Sequence, residues 1–181
     1  MKKVLILTAS PHGMGNSCAM AAEFQRVAWA KKAEVKLIDM VRVEGDGCHG
    51  CEACHRSFER CIQEDEVTDV LRDFEDADIL VMASPVWWLD LPVYIRRFVE
   101  RWHGLMTADF KPRIKPGKKA VLLLSQGAVE EDFKDLPERY REMLSWMGVE
   151  FSVVRHCNSH AHALATSGVL DEVRELAEKL C

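Results

Sequence analysis

The sequence predicts an α/β fold in which five parallel strands, in the order 2-1-3-4-5, lie between two layers of helices. Three observations lead there. Strand-like and helix-like segments alternate from one end of the chain to the other. The strand-like segments are short continuous apolar runs, the pattern of strands covered on both faces. The chain's 181 residues hold one substantial core but not two ordinary domains.

In order, KKVLIL at the start reads as the first strand. The alanine-rich stretch from Asn16 to Lys31 predicts the first helix, and EVKLID the second strand. Glu66 to Phe74 puts Val67, Val70, Leu71 and Phe74 on one helical face. ADILVMAS is the third strand. Pro92 to Trp102 repeats the helical pattern with Ile95, Phe98, Val99 and Trp102, and Pro92 suits a first turn. Arg96, Arg97 and Arg101 then fall on the outer face of that helix, near Glu100, and are expected to be solvated. KPRIKPGKK reads as a basic, proline-broken surface connector into the fourth strand, KKAVLLLS. Phe133 to Met147 carries Leu136, Tyr140, Met143, Leu144 and Met147 on one face; VEFSVVR is the fifth strand. Val169 to Leu180 closes the chain with Leu170, Val173, Leu176, Ala177 and Leu180 inward. The expected domain is single, 1–181, with one long insertion at about 40–65.

The net charge of −5 and the lack of a dense Lys/Arg run argue against a nucleic-acid surface. The first apolar run, Val4 to Ala9, stops at Ser10-Pro11, too short for a signal sequence or a membrane span, and no later stretch is long enough. The expectation is a cytoplasmic protein with no membrane contact, whose thiols stay reduced. That bears on CHGCEACHRSFERC, where four of the seven cysteines occur. In a reducing compartment such a cluster binds metal or does redox chemistry more readily than it forms disulfides. The spacing is C-x2-C-x2-C-x6-C. Thiolates of Cys48, Cys51 and Cys54 can wrap a compact cubane and Cys61 close it, which favours a [4Fe–4S] cluster. Structural zinc also takes four thiolates, though usually as two separated pairs, and metal-free thiols are the third reading. Cys18, Cys157 and Cys181 are read as isolated thiols. His156, His160 and His162, with no carboxylate among them, are read as part of a polar loop.

In sheets of this kind ligands bind beyond the carboxyl ends of the strands. The first such loop is TASPHGMGNS. Ser10, Asn16 and Ser17 offer side-chain donors, Gly13 and Gly15 allow close backbone approach, and a helix N-terminus opens at the same place. A Walker A loop is excluded by its missing lysine. A dinucleotide fingerprint has the wrong third small residue, Cys18, although Asp39 stands where a ribose-binding acid would. The favoured reading is a mononucleotide phosphate loop built on neutral donors, with His12 beside it. The loop after the third strand, SPVWWLDLP, carries Trp87 and Trp88, whose rings suit a planar ligand; core and subunit-interface packing are the other uses for them. After the fourth strand, SQGAVEE is small and polar at Ser125 to Ala128.

Together these segments resemble the flavodoxin-like family of NAD(P)H-dependent FMN reductases and iron–sulfur flavoproteins. ASPHGMGNS is similar to that family's Gly-Ser-Pro-Arg-x-x-Gly-Asn-Ser loop, and ADILVMASPVWWLDLPVYIRRFVER to its Ser-Pro-Val-Tyr-Trp segment. The cysteine block resembles the compact motif of the iron–sulfur flavoproteins. The resemblance implies a flavodoxin-like three-layer sandwich. It implies FMN held by its phosphate at Ser10, His12, Gly15, Asn16 and Ser17, with Pro85, Val86, Trp87 and Trp88 against the isoalloxazine and Ser125 and Gly127 at its edge. It implies a [4Fe–4S] cluster on Cys48, Cys51, Cys54 and Cys61, NAD(P)H as co-substrate, and a homodimer or homotetramer. His12 stands where arginine is usual, and Trp87 where tyrosine is. Two function classes follow: an oxidoreductase turning over NAD(P)H, and an electron carrier fed by ferredoxin-like partners. A zinc-stapled binding domain is the third.

Overall fold

The computed structural model describes residues 1–56, 58 and 60–181. Its strands are β1 (Lys3–Thr8), β2 (Glu34–Asp39), β3 (Ile79–Pro85), β4 (Lys119–Ser125) and β5 (Glu150–His156). Its helices are α1 (Asn16–Ala30), α2 (Ala53–Arg56), α3 (Glu66–Asp76), α4 (Val93–Glu100), α5 (Asp135–Trp146) and α6 (Val169–Leu180), with 3-10 turns at Arg101–Leu105 and Leu164–Thr166. The sheet is parallel throughout, in the order β2-β1-β3-β4-β5. This matches the order and all five strands expected.

Alternation along the central strands explains why both faces are covered. Leu5, Leu7, Leu80, Met82, Leu122 and Leu124 enter one core with α3, α4 and α5. Val4, Ile6, Ile79, Val81, Val121 and Leu123 enter the other with α1 and α6. Fully burying such a side chain stabilises the fold by about 1.5–3 kcal/mol. No helix, among the described residues, is long and apolar enough to cross a membrane.

Two expectations about cations fail. Lys118, expected in a surface connector, is buried: its ammonium donates to the carbonyls of Phe74 (2.9 Å), Glu75 (2.8 Å) and Ala77. It thereby satisfies the open carbonyl end of α3, where a cation is favoured. Burial, then the neighbouring Lys115, pulls its pKa down. Arg101, expected to be solvated, is only 1% exposed, and Arg97 is half-buried; Arg96 alone of the three is exposed. The helix is shorter than expected, ending at Glu100, and the 3-10 turn that follows swings Arg101 inward.

Arg97 and Arg101 hold the connection between β2 and α3. Arg97 donates to the carbonyls of Met40 (2.7 Å), Gly45 (3.1 Å) and Val43. Arg101 donates to Asp65 Oδ2 (2.7 Å), to the carbonyls of Asp46 (3.1 Å) and Gln63 (3.4 Å), and to Thr68 Oγ1. Asp65 also caps α3 by accepting from the Thr68 N–H at 3.0 Å. Burial pushes the Asp65 carboxyl up, but Arg101 and the Thr68 N–H outweigh it and hold the group below its ordinary value.

Candidate functional site

The loops beyond the carboxyl ends of the strands continue the ladder of the sheet. The Ala9 N–H donates to Ala83 O (2.9 Å), Met40 to Thr8 O (2.8 Å), Val86 to Ser125 O (2.8 Å) and Gln126 to His156 O (2.9 Å). Main-chain hydrogen bonds therefore bring the predicted loops to one edge.

In the first loop, Ser10 is buried, and its Oγ exchanges hydrogen bonds with the main chain of His12 at 3.2 Å. Gly15 caps α1 with no side-chain cap, and no acid occurs in the first turn. The N–H groups of Asn16, Ser17 and Cys18 have no partner among the described residues. Three unpartnered donors at the positive end of a helix form a receptor for an anion. Gly15 lies so close to the turn that a Cβ there would stand 3.0 Å from His12 O. The first-strand loop thus fits a phosphate without a lysine or arginine.

The His12 ring meets the Trp87 ring edge-on, with centroids 6.4 Å apart, so the first and third loops touch. Trp87 and Asp90 exchange main-chain hydrogen bonds (2.8 and 3.2 Å) around a tight turn. Its two central residues, Trp88 and Leu89, have φ of 47° and 71°. That left-handed geometry suits Asn-Gly; on Trp and Leu it stores about 1–3 kcal/mol per residue. The turn leaves Trp88 96% exposed. Neither tryptophan packs in the core. Asp90 pins the turn from beneath, facing Tyr140 Oη and Arg139 at 3.4 Å and Arg96 at 3.5 Å. Burial and Asp90 push the Tyr140 phenol well above its usual range.

After β4, Ser125 and Gln126 are buried and Gly127 half-buried. A Cβ on Gly127 would meet His160 Nε2 at 2.5 Å, so the imidazole lies over the glycine. His156 is buried, its Nε2 3.1 Å from His162 O. The three histidines do not gather their ring nitrogens around one point. Asp39 is engaged locally, accepting from the Val41 N–H (3.1 Å) and facing Arg42 (3.3 Å).

The cysteine connection begins at this edge, through Met40, and its base rests on α4, the helix into which the Trp87–Asp90 turn leads. Cys48 and Cys51 are exposed, Cys61 half-buried and Cys54 buried. Sulfur acceptors already meet N–H donors: Gly50 N–H to Cys48 Sγ at 3.4 Å, and Gln63 Nε2 to Cys61 Sγ at 3.9 Å. Such bonds favour a thiolate and suit a cluster ligand. Burial, then the nearby Cys61 and Cys48 thiols, raise the Cys54 pKa. The four sulfurs are not collected at the spacing of a single ion; the ligand atoms so collected, among the described residues, belong to Cys54, His55 and His103.

A cavity of 390 Å³ lies elsewhere, between α4 and α5, lined by Val99, Trp102, Met106, Met143 and Trp146. None of the predicted flavin contacts lines it, whereas a larger, more open cavity of 550 Å³ is lined by Trp88, Leu89 and Asp90.

Comparison with known proteins decides the family. The flavodoxin-like fold family matches residues 2–180. The chain belongs to that family. It is 28% identical over 133 residues to an iron–sulfur flavoprotein of Archaeoglobus fulgidus, covering 72% of this chain and 58% of that protein. With an iron–sulfur flavoprotein of Methanosarcina thermophila the identity is 22% over 185 residues, covering 99% and 93% of the two chains. The structure of an FMN-dependent NADH-azoreductase from Bacillus anthracis, in complex with FMN, superposes with a TM-score of 0.78 at 14% identity over 99% of each chain. At that identity the likeness is one of fold.

Sequence reasoning misjudged Arg97 and Arg101 as solvated and missed Asp65, the residues that anchor the cysteine loop. Their spacing put Arg97 and Arg101 on one helical face but gave no sign that it is covered, and Arg101 lies past the end of α4. Their partners are mostly carbonyls of a distant loop, which no local pattern encodes.

Proposed function

We propose that the chain is an FMN-dependent oxidoreductase drawing electrons from NADH or NADPH, with a [4Fe–4S] cluster on its cysteine loop. The observation that carries this reading is the trio of unpartnered N–H groups at the start of α1, beside a strained, exposed indole. Ser10, His12, Gly15, Asn16 and Ser17 would hold the FMN phosphate by neutral donors and the helix terminus. Pro85, Val86, Trp87 and Trp88 would flank the ring system, and Ser125 and Gly127 would meet its polar edge. When bound, FMN would take two electrons from the nicotinamide, and a cluster on Cys48, Cys51, Cys54 and Cys61 would carry them singly. The names of the two iron–sulfur flavoprotein relatives support the pairing.

The chain's own contribution is placement. Asp90 and the ladder bond from Val86 to Ser125 fix the indole loop, and Arg97 and Arg101 fix the cysteine loop on the same helix. Trp87, Trp88, Leu89 and Val93 form an exposed apolar patch at the ring site. A second copy of the chain, in a homodimer or homotetramer, would cover that patch and exclude water.

The test is anaerobic reconstitution with FMN, iron and sulfide, followed by visible spectroscopy. Bound flavin that bleaches on adding NADH or NADPH supports the enzyme. Bleaching only by reduced ferredoxin makes the protein a carrier, and a colourless zinc protein makes it a binding domain. Absence of bound flavin overturns the reading. Cys48→Ala is expected to lose iron and keep FMN.

A further inference from the structure

The connection after β2 and the turn after α4 bring together a second set of metal-binding atoms, which shares only Cys54 with the four thiols. Ligand atoms of Cys54, His55 and His103 all lie within 4.8 Å of one another. A tetrahedral ion with Zn–S near 2.3 Å and Zn–N near 2.0 Å separates its donors by roughly 3.3–3.8 Å. The three groups therefore need to close by no more than roughly 1.5 Å to share one ion. One sulfur and two imidazoles make a borderline donor set, suited to zinc or cobalt and unsuited to magnesium or calcium, which take oxygen.

The scaffold around them is built. One guanidinium, Arg113, donates from Nη1 to Cys54 O at 3.0 Å and to Gly104 O at 3.1 Å, clamping α2 to the 3-10 turn that carries His103. His55 Nε2 lies 3.0 Å from His103 O. A proton donated to that carbonyl leaves Nδ1 with its lone pair, the outer hydrogen bond that usually accompanies a ligating histidine. The two imidazoles pack with centroids 4.1 Å apart. Cys61 lies against Gly104, the residue after His103, where a Cβ would stand 3.6 Å from its own.

We propose that Cys54, His55 and His103 form a mononuclear site for a borderline divalent transition metal such as Zn²⁺, occupied when the loop carries no cluster. The site shares only Cys54 with the four-thiol set, so the two occupants exclude each other, and it does not depend on flavin binding.

The full chain, reduced and stripped with a chelator under anaerobic conditions, is titrated with Co²⁺. Thiolate-to-cobalt charge transfer and intense visible ligand-field bands, displaced by Zn²⁺, are expected. Replacing a ligand, as in His103→Ala or Cys54→Ser, should weaken binding at least ~100-fold, while Cys51→Ala stays within about threefold. X-ray absorption of the zinc-loaded, unsubstituted chain should show imidazole scattering beside sulfur, a readout that does not depend on any variant folding. Absence of a tetrahedral cobalt spectrum, sulfur-only scattering, or loss of binding in Cys51→Ala with retention in His103→Ala would each overturn the proposal. FMN retention, followed in parallel, reports on the flavin site separately.

Discussion

Replacing Asp65 by asparagine should open the cysteine loop. The Arg101 side chain is fully buried and Asp65 is its only carboxylate partner among the described residues, at 2.7 Å. Removing one member of a buried ion pair costs about 3–5 kcal/mol, because the remaining charge is left uncompensated. The Asp65 side chain is 21% exposed, so water relieves part of that cost and the lower end, about 3 kcal/mol, applies. Asparagine still caps α3, so the helix-cap contribution is kept and the charge is isolated. At about 1.4 kcal/mol per tenfold, the open population of the loop should rise ~100-fold. The assay is alkylation of Cys54, which is 8% exposed, mapped by mass against the exposed Cys48 and Cys51 in the same molecules. Reactivity there follows the population of locally open forms. The double variant Asp65→Asn/Arg101→Met should open the loop by less than the two single changes combined, since it removes the uncompensated guanidinium charge although the bonds to Asp46, Gln63 and Thr68 go with it. An increase below about threefold in the single variant, or fully additive effects of the two changes, would refute the reasoning. The pH dependence has a definite sign. The Asp65 pKa is depressed in the folded chain, so its contribution is complete above the ordinary value near 3.9 and disappears as pH falls through the folded value. Hydrogen exchange of the loop should accelerate there in the parent and remain flat in the variant.

Other outcomes follow from the same geometry. Gly15→Val should reduce FMN binding more than tenfold with little effect on folding, checked by fluorescence titration, because its Cβ would press on His12 O at 3.0 Å. Trp88→Asn/Leu89→Gly should stabilise the chain by about 1–2 kcal/mol in urea unfolding while weakening flavin binding, since it relieves the left-handed turn and removes the ring. Glu23 is held down to about 2, first by its Arg26 hydrogen bond and, against burial, by Arg174, which links α1 to α6. That support is complete above pH 4.5 and lost toward 2, so Glu23→Gln should flatten the acid limb of thermal stability. With both arginines largely in water, the loss at neutral pH should be about 1 kcal/mol or less. Lys118→Met should lower the melting temperature by several degrees, since three carbonyls at the end of α3 lose their donor.

The central strands were legible because a strand buried on both faces must be apolar throughout, and KVLILT, ILVMASP and KAVLLLS stand out from polar surroundings, whereas the edge strand EVKLID has no fully buried position. The same holds for α6, whose bounds the pattern gave at both ends, since its inward residues recur at helical spacing. Trp87 and Trp88 stood out in the sequence, but their left-handed turn did not: nothing in Trp-Leu announces φ values that asparagine and glycine prefer. Arg97 and Arg101 were misjudged for a related reason. A charged residue on a short helix is usually solvated, and only a loop 52 to 57 residues away in sequence supplies the carbonyls that cover it.

By itself, then, the sequence determined the succession of strands and helices, the loops that follow the strands, and the presence of four closely spaced thiols. Those depend on local periodicity and spacing, which survive without knowledge of neighbours, while the sheet order was read from the likeness to doubly wound folds. Only the tertiary structure decided which cations are buried, that the indole turn is strained outward, and that His103 meets Cys54 and His55. Those are meetings of residues far apart in the chain, fixed by hydrogen-bond geometry and packing that no single segment encodes.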